Sequence, residues 1–401
     1  MSLERNILYR LPWSKTDNPG GWVEVTDVCD FACPGCYRHR ISGHRPLATL
    51  QDEILTIKRL TNCDRVAVAG GEPLLYPHIL DVVAFIARQG LKPVLLTNGS
   101  RLTPELGREL QRAGLAKFHF HVDSGMKRPG WEQRTEVEIN ELRQWFADLV
   151  WELPGVQCGF NITIFPSTVS CLPDILDWCR RNLHKVQHVS LIAFRGVPLD
   201  SRFEYWAGNR QVDVSGLKHA VSDFDSISLT TNEMFRVLQD HDPEYRAAAY
   251  LPGSSAPDTY KFLVAVQVGS ASGMYGYLGR RTMELVQVAH HLFKGTYCSF
   301  VRQPKVGRKL FLASLVDPSV RRAAGRFAGA AIRDPRRLWD HIYVQSISLQ
   351  QPNEMLHGEA NLCDGCLNMM LHEGRLIPSC RWDEYRLFGA ALQPVRRRVE
   401  V

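Results

Sequence analysis

The chain has 401 residues, of which 45% are apolar and 22% charged, with a formal net charge of +6. That composition belongs to a folded protein and excludes disordered, collagen-like and coiled-coil chains. At roughly 150 residues per domain the length allows two or three domains. The stretch Met1-Ser2-Leu3-Glu4-Arg5 builds no apolar run, so no export leader is expected. Eleven unevenly clustered cysteines then read as metal or redox ligands in a reducing cytoplasm, not as a disulfide framework.

Short β-rich runs come first in chain order: Trp22–Thr26, Arg65–Ala69, Pro93–Thr97, Lys117–Asp123, Val156–Ile164 and Gln187–Phe194. Helical patterns alternate with them near Leu50–Leu60, Pro77–Arg88, Pro104–Ala113, Glu136–Trp151 and Leu172–Asn182. This rhythm predicts βαβ units and a parallel sheet, with chemistry at the C-terminal strand ends. It stops after Gly196. Expected boundaries are an N-terminal extension 1–20, a partial barrel 21–195, an irregular and helical substrate-facing segment 196–345, and a cysteine-bearing segment 346–401. The charge-free run Phe262–Gly279 is too rich in Gly, Ser and Gln for a membrane span.

Cys29, Cys33 and Cys36 follow the first run as C-x3-C-x2-C. Three thiolates on a tight loop can hold three corners of a cubane iron–sulfur cluster, leaving one iron open to a small molecule. Zinc is the alternative, with His39 or His44 as a fourth ligand. The loop resembles that of radical S-adenosylmethionine (SAM) enzymes, and the resemblance spans residues 20–195. Gly70-Gly71-Glu72-Pro73 ends the second strand, where the family's glycine-rich turn holds the methionine amino group of SAM. Thr97-Asn98-Gly99 ends the third, Asp123-Ser124 the fourth, and Asn161 lies on the fifth, where the resemblance implies ribose and carboxylate contacts. The family usually carries an aromatic residue before the third cysteine, where this chain has Gly35; Tyr37 is the candidate for the adenine contact. The resemblance implies an α/β fold with a partial (β/α)6 TIM-type barrel and a 4Fe–4S cluster with SAM as cofactors. It also implies hydrogen abstraction by a 5′-deoxyadenosyl radical.

Cys363 and Cys366 stand as C-x2-C, and Cys380 follows after thirteen intervening residues. Gly374 suits a hairpin that would return the last thiol to the first pair. The spacing resembles the auxiliary-cluster segments of molybdopterin-precursor cyclases and SPASM/twitch extensions, which implies a second 4Fe–4S cluster in a C-terminal auxiliary domain. Its remaining iron could stay open for substrate or take Cys298, His357 or His372 as a fourth ligand; a zinc knuckle is the alternative. The cyclase identity itself is rejected, because those enzymes end in a di-glycine tail and this chain ends in Arg396-Arg397-Arg398-Val399-Glu400-Val401. Cys63, Cys158, Cys171 and Cys179 read as buried small hydrophobes.

His119, His121 and Asp123 alternate, so they share one strand face and are expected to line the cavity. Between Arg302 and Asp340 ten Lys/Arg stand against three Asp/Glu. This stretch is read as a solvated basic face or as a peripheral membrane contact, with no nucleic acid expected. The expected function is hydrogen abstraction from a small-molecule or lipid-like substrate, with an electron donor such as flavodoxin or ferredoxin. The alternatives are a peptide-modifying maturase and a non-catalytic zinc or iron–sulfur protein.

Overall fold

Alternation along each strand gives the sheet two faces of opposite chemistry. The computed structural model describes residues 3–41, 43–199, 203–223, 228–301, 307–352 and 360–396. Six strands run parallel in chain order: β1 (Gly20–Thr26), β2 (Arg65–Gly70), β3 (Lys92–Thr97), β4 (Lys117–His121), β5 (Gln157–Ile164) and β6 (Val186–Ala193). Each of the first five leads into a helix: α1 (Leu47–Thr61), α2 (Ile79–Arg88), α3 (Pro104–Arg112), α4 (Asn140–Trp151) and α5 (Leu172–Arg181). This is the partial (β/α)6 arrangement expected from the sequence.

On the helix side, Val23, Val66, Val68, Leu95, Phe118, Phe120, Phe160 and Val189 form one core. It also takes in Leu50 and Ile54 of α1, Val83 of α2, Leu110 of α3, Phe146 of α4 and Ile175 of α5. Burial of these apolar side chains is the main force holding the layers together. The intervening positions face the lumen. There Trp22, Ala67, Ala69 and Leu96 pack against Met370, Ile377 and Trp382 of the C-terminal segment. Further round, the lumen face becomes polar with His119, His121, Asn161, Thr163, His188 and Ser190.

The segment 196–345 departs from the irregular reading. It contributes the helix α6 (Thr231–His241), β7 (Ala249–Pro252) and the 11-residue β8 (Tyr260–Ser270). The strand β9 (Tyr343–Gln350) straddles the expected 345/346 boundary and runs parallel to β6 through Ser346–Gln350. β8 pairs antiparallel with β9, β7 with β8, and the short strand Tyr9–Arg10 runs parallel to β7. The N-terminal extension therefore belongs to the sheet as well. At the opposite edge the hairpin β10 (Met369–His372) and β11 (Arg375–Pro378) joins β1 through Met369 and Gly21. Among the described residues this makes one 13-stranded sheet.

Residues 298–301 close the N-terminal end of the lumen. Lys92 Nζ donates to the Phe300 carbonyl at 2.9 Å and Gln157 Nε2 to that of Val301 at 2.7 Å. The Phe300 ring lies 4.1 Å from Lys117 Nζ. Among the described residues no helix is long and apolar enough to cross a membrane.

Candidate active site at two cysteine groups

The first cysteine loop leaves β1 at its C-terminal end. Val28 N donates to Thr26 Oγ1 at 3.0 Å, and His44 Nδ1 lies 2.9 Å from the same hydroxyl. His39 donates its main-chain N–H to Asp383 Oδ2 at 2.7 Å. Within the loop, burial raises the Cys29 thiol. Cys33 is pushed up to about 12 by burial and then by Cys36 and Cys29. Cys36 and Cys29 act on Cys33 at short range, and the strongest influences on Cys33 add no cation. Such a donor set becomes three thiolates when cationic iron binds, so the loop fits a 4Fe–4S cluster. Gly35 turns the loop at φ +71°, where a Cβ would lie 2.5 Å from Phe194 Cε2. The Phe194 ring, stacked on Phe165 at 4.7 Å, takes the space that a side chain at 35 would need.

The turn after β2 packs against the same loop. A Cβ on Gly70 would come 2.3 Å from the Thr26 carbonyl oxygen, and one on Gly71 2.4 Å from that of Val28. Close approach of two backbones thus requires both glycines. Glu72 is fully buried and accepts from Leu74 N (2.9 Å), Thr97 Oγ1 (2.6 Å) and Asn98 N (2.7 Å). Burial raises its carboxyl to about 7. Its side chain therefore braces the turns after β2 and β3, with Pro73 buried beside it. Asn98 Nδ2 donates to Asp30 Oδ1 at 3.0 Å, and Ser100 Oγ donates to Asp30 Oδ2 at 2.7 Å, tying the third-strand turn to the cysteine loop.

Asp123 and His121 form a pair, with His121 Nε2 2.8 Å from Asp123 Oδ2. Burial alone would lower His121, but Asp123 outweighs it and leaves the imidazole raised. Thr163 N donates to Asp123 at 3.0 Å. Ser124 is tied to Glu136 through both N and Oγ, and Glu136 pairs with the buried Arg143. Asn161 lies opposite His121 on the lumen face. Deeper in the lumen, burial takes His119 down to about 3 and Lys117 down to about 7.

The hairpin β10–β11 turns at Glu373 and Gly374, both at positive φ. It returns Cys380 to Cys363 and Cys366. Cys363 is pushed up to about 12 by burial and then by Cys380, and Cys366 is raised by burial, Cys363 and Cys380. Cys380 thus acts on both Cys363 and Cys366, and these three thiols are the C-terminal donors that could hold a cluster. Cys298 is not among them. It lies at the lumen floor, raised to about 11 by burial, with Lys92, Asp64 and Lys117 as its charged neighbours. The His372 ring lies 5.3 Å from that of Tyr385, tilted by 55°, and His357 falls outside the described residues. Cys63, Cys158 and Cys179 are buried, while Cys171 is half-buried. Among the described residues no group of three or more His, Cys, Asp and Glu side chains is arranged to hold a single metal ion.

Tyr37 lies between the two groups and is influenced by Cys36 on one side and Cys380 on the other. Its ring is flanked by the guanidiniums of Arg38 at 4.9 Å and Arg195 at 5.8 Å. Arg38 also donates to the Ser379 carbonyl and pairs with the buried Glu24. Arg195 donates to the Cys380 carbonyl and pairs with Glu384. Sequence reasoning missed these arginines and Phe194, and no local pattern marks them.

Residues 23–179 match the family model described as Radical SAM superfamily. Over 193 residues the chain is 28% identical to human Molybdenum cofactor biosynthesis protein 1, covering 45% of this chain and 27% of that protein. It is 22% identical over 170 residues to the Probable GTP 3′,8-cyclase of Methanocaldococcus jannaschii, covering 39% and 54%. The chain thus spans about a quarter to a half of the length of these relatives. Among solved structures, Streptococcus suis SuiB bound to S-adenosylmethionine superposes with a TM-score of 0.40 at 14% identity, covering 56% of this chain and 47% of that one. The cysteine loop, the paired glycines and the parallel strands that carry them lie inside the matched region, and this chain carries a Radical SAM superfamily domain over residues 23–179.

Proposed function

We propose that the protein is a radical SAM enzyme acting on a small-molecule or lipid-like substrate, for carbon–carbon bond formation, rearrangement or oxidation. The observation that carries this reading is the Cys29, Cys33 and Cys36 loop at the C-terminal end of β1, packed against the Gly70–Gly71 turn inside the matched region. Cys29, Cys33 and Cys36 would hold the SAM-binding 4Fe–4S cluster, and Cys363, Cys366 and Cys380 a second one. When bound, the first cluster and SAM supply a 5′-deoxyadenosyl radical that takes a hydrogen atom from the substrate. The main chain at Gly70–Gly71, together with Asn98, Asp123, Ser124, Asn161 and Tyr37, would position SAM. Glu72 and Pro73 act behind them by fixing the turn. Trp22, Trp382 and the hairpin exclude water from one side of the lumen. His119, His121, His188 and Ser190 leave the other side polar for substrate. Reducing equivalents would come from a donor such as flavodoxin or ferredoxin. Peripheral membrane contact through the Arg-rich segment 302–340 belongs to the same reading.

Iron and acid-labile sulfide per chain after anaerobic reconstitution test it. The wild type should bind about eight irons, and a Cys363→Ala/Cys366→Ala/Cys380→Ala variant about four. With dithionite the wild type should release 5′-deoxyadenosine from SAM. About four irons in both proteins, with zinc in the wild type, would remove the second cluster. No SAM cleavage by a fully loaded protein would remove the enzyme.

A further inference from the structure

The helix α7 (Arg280–Lys294) packs Met283 on the core but leaves most of its apolar side chains exposed. Its buried side chains are polar, Thr282 and Gln287. Leu285, Val288 and Leu292 share its outer face at helical spacing, and Leu292 and Phe293 are 75% and 80% exposed. Such a stripe ordinarily packs on the core.

Neighbouring segments repeat the pattern. In the turn Gly307–Leu315, Leu312 and Leu315 are 70% and 81% exposed. Ile332 near the end of α8 (Pro318–Arg333) is 82% exposed, and Trp339 just beyond it 84%. These segments are joined. Asp317 accepts from Thr282 Oγ1 at the start of α7 (2.6 Å) and from Ser319 N at the start of α8 (2.9 Å). Arg281 donates to the Val316 carbonyl at 3.0 Å, and the rings of Phe311 and Phe327 lie 5.3 Å apart.

Exposed cations are interleaved with the apolar residues: Arg281, Lys294, Lys309, Arg321, Arg322 and Arg336. Arg281 and Arg321 hydrogen-bond main-chain carbonyls, which solvate a guanidinium without cancelling its charge.

We propose that this face docks on the surface of a bilayer containing anionic lipids, with Leu292, Phe293, Leu312, Leu315 and Trp339 as apolar anchors beneath a layer of arginines. It deepens the functional reading by naming the partner, and it rests on that reading only for its biological purpose. The charge selects the occupant. Anionic headgroups complement a face that is both apolar and basic, and aromatic and aliphatic side chains flanked by Arg and Lys suit the headgroup–acyl boundary.

The test is co-sedimentation of the reconstituted protein with phosphatidylglycerol/phosphatidylcholine vesicles and with pure phosphatidylcholine. Binding should need phosphatidylglycerol and weaken with salt. Arg321→Gln/Arg322→Gln removes two charges and should lower partitioning roughly 25-fold, at about 1 kcal/mol per cation. Leu292→Ser/Phe293→Ser should lower it as well. Unchanged iron content and circular dichroism would show that the variants are folded. No binding to phosphatidylglycerol vesicles, or equal binding by wild type and both variants, overturns the proposal. So does a concentration-dependent dimer that Leu292→Ser/Phe293→Ser abolishes without any vesicle binding, which would assign the face to a second copy. SAM cleavage is scored separately, so loss of either claim leaves the other legible.

Discussion

Gly35→Ala is a sharp probe of the first cysteine loop, because two separable costs meet at that residue. The backbone sits at φ +71°, and an L-residue there costs about 1–2 kcal/mol. Part of this is offset by about 0.4–1 kcal/mol from the less flexible unfolded chain. The new Cβ would also stand 2.5 Å from Phe194 Cε2, over an ångström inside ordinary contact. Overpacking of that kind costs about 1–3 kcal/mol. The sum is about 1–4.5 kcal/mol, and only the second part depends on Phe194. A double-mutant cycle separates them: Gly35→Ala should cost about 1–3 kcal/mol less in a Phe194→Ala background than in the wild type. Urea unfolding of the apo-protein supplies the four free energies, and iron incorporation by the same four proteins reports on the loop itself. Additive effects within about 0.5 kcal/mol would refute the argument, because Phe194 would then not be what excludes a side chain at 35.

Three other outcomes follow from the same structure. Glu72 carries a folded-state value of about 7 against an ordinary 4.5, so the folded protein holds the extra proton between those values. Its contribution to stability is therefore full below about 4.5 and declines as pH rises through 7, by about 3 kcal/mol. Glu72→Gln removes this titration, so the wild-type-minus-variant difference in urea midpoint should fall between pH 5 and 8; a constant difference would contradict it. Arg143→Met strands the buried Glu136 and should cost about 3–5 kcal/mol in urea unfolding, whereas a cost below 1 kcal/mol would mean that the pair is not buried as described. Asp30→Ala unties Asn98 and Ser100 from the cysteine loop, and it should speed iron loss to a chelator while the free energy of urea unfolding falls by less than about 2 kcal/mol.

What was legible in the sequence is what repeats locally. Lys117-Phe118-His119-Phe120-His121 announces both a strand and its two faces, and the structure puts the phenylalanines in the helix-side core. Three thiols within eight residues need no tertiary knowledge, and the Gly374 hairpin was readable from one turn residue and a spacing. What was missed depends on contacts between remote parts of the chain. Phe262 of β8 pairs with Gln350 of β9, 88 residues away, and neither strand is flanked by the helices that made the first six conspicuous. Arg38, Arg195 and Glu24 look like surface charges until the C-terminal segment covers them. Cys298 was a plausible fourth thiol by its place in the chain, but the turn after α7 carries it to the lumen floor. Glu72 sits in a turn that resembles a ligand site, yet three donors from its own fold occupy its carboxylate.

The two cysteine groups are joined by more than the tyrosine between them. The helix α9 (Trp382–Phe388) starts two residues after Cys380, and its Arg386 reaches back to the first loop. There Nη1 and Nη2 meet the two carboxylate oxygens of Asp27 at 2.9 and 2.5 Å. The same helix supplies Asp383 to the His39 main chain, and its Trp382 ring lies under Arg386 at 4.3 Å. A two-point guanidinium–carboxylate contact fixes orientation as well as distance, and this one is nearly buried, with the two side chains 10% and 5% exposed. The loop that holds the first thiols is therefore positioned by a helix more than 340 residues away in the chain, next to the last thiol of the second group. Arg386→Ala should then weaken iron binding at the first site even when the second has been removed. The measurement is iron per chain in the Cys363→Ala/Cys366→Ala/Cys380→Ala background, with and without Arg386→Ala. About four irons in the first protein and fewer in the second, restored in part by Arg386→Lys, is the expected pattern. Four irons in both would mean that the first loop holds its shape unaided, and that the C-terminal segment was placed over the barrel for its own cluster alone.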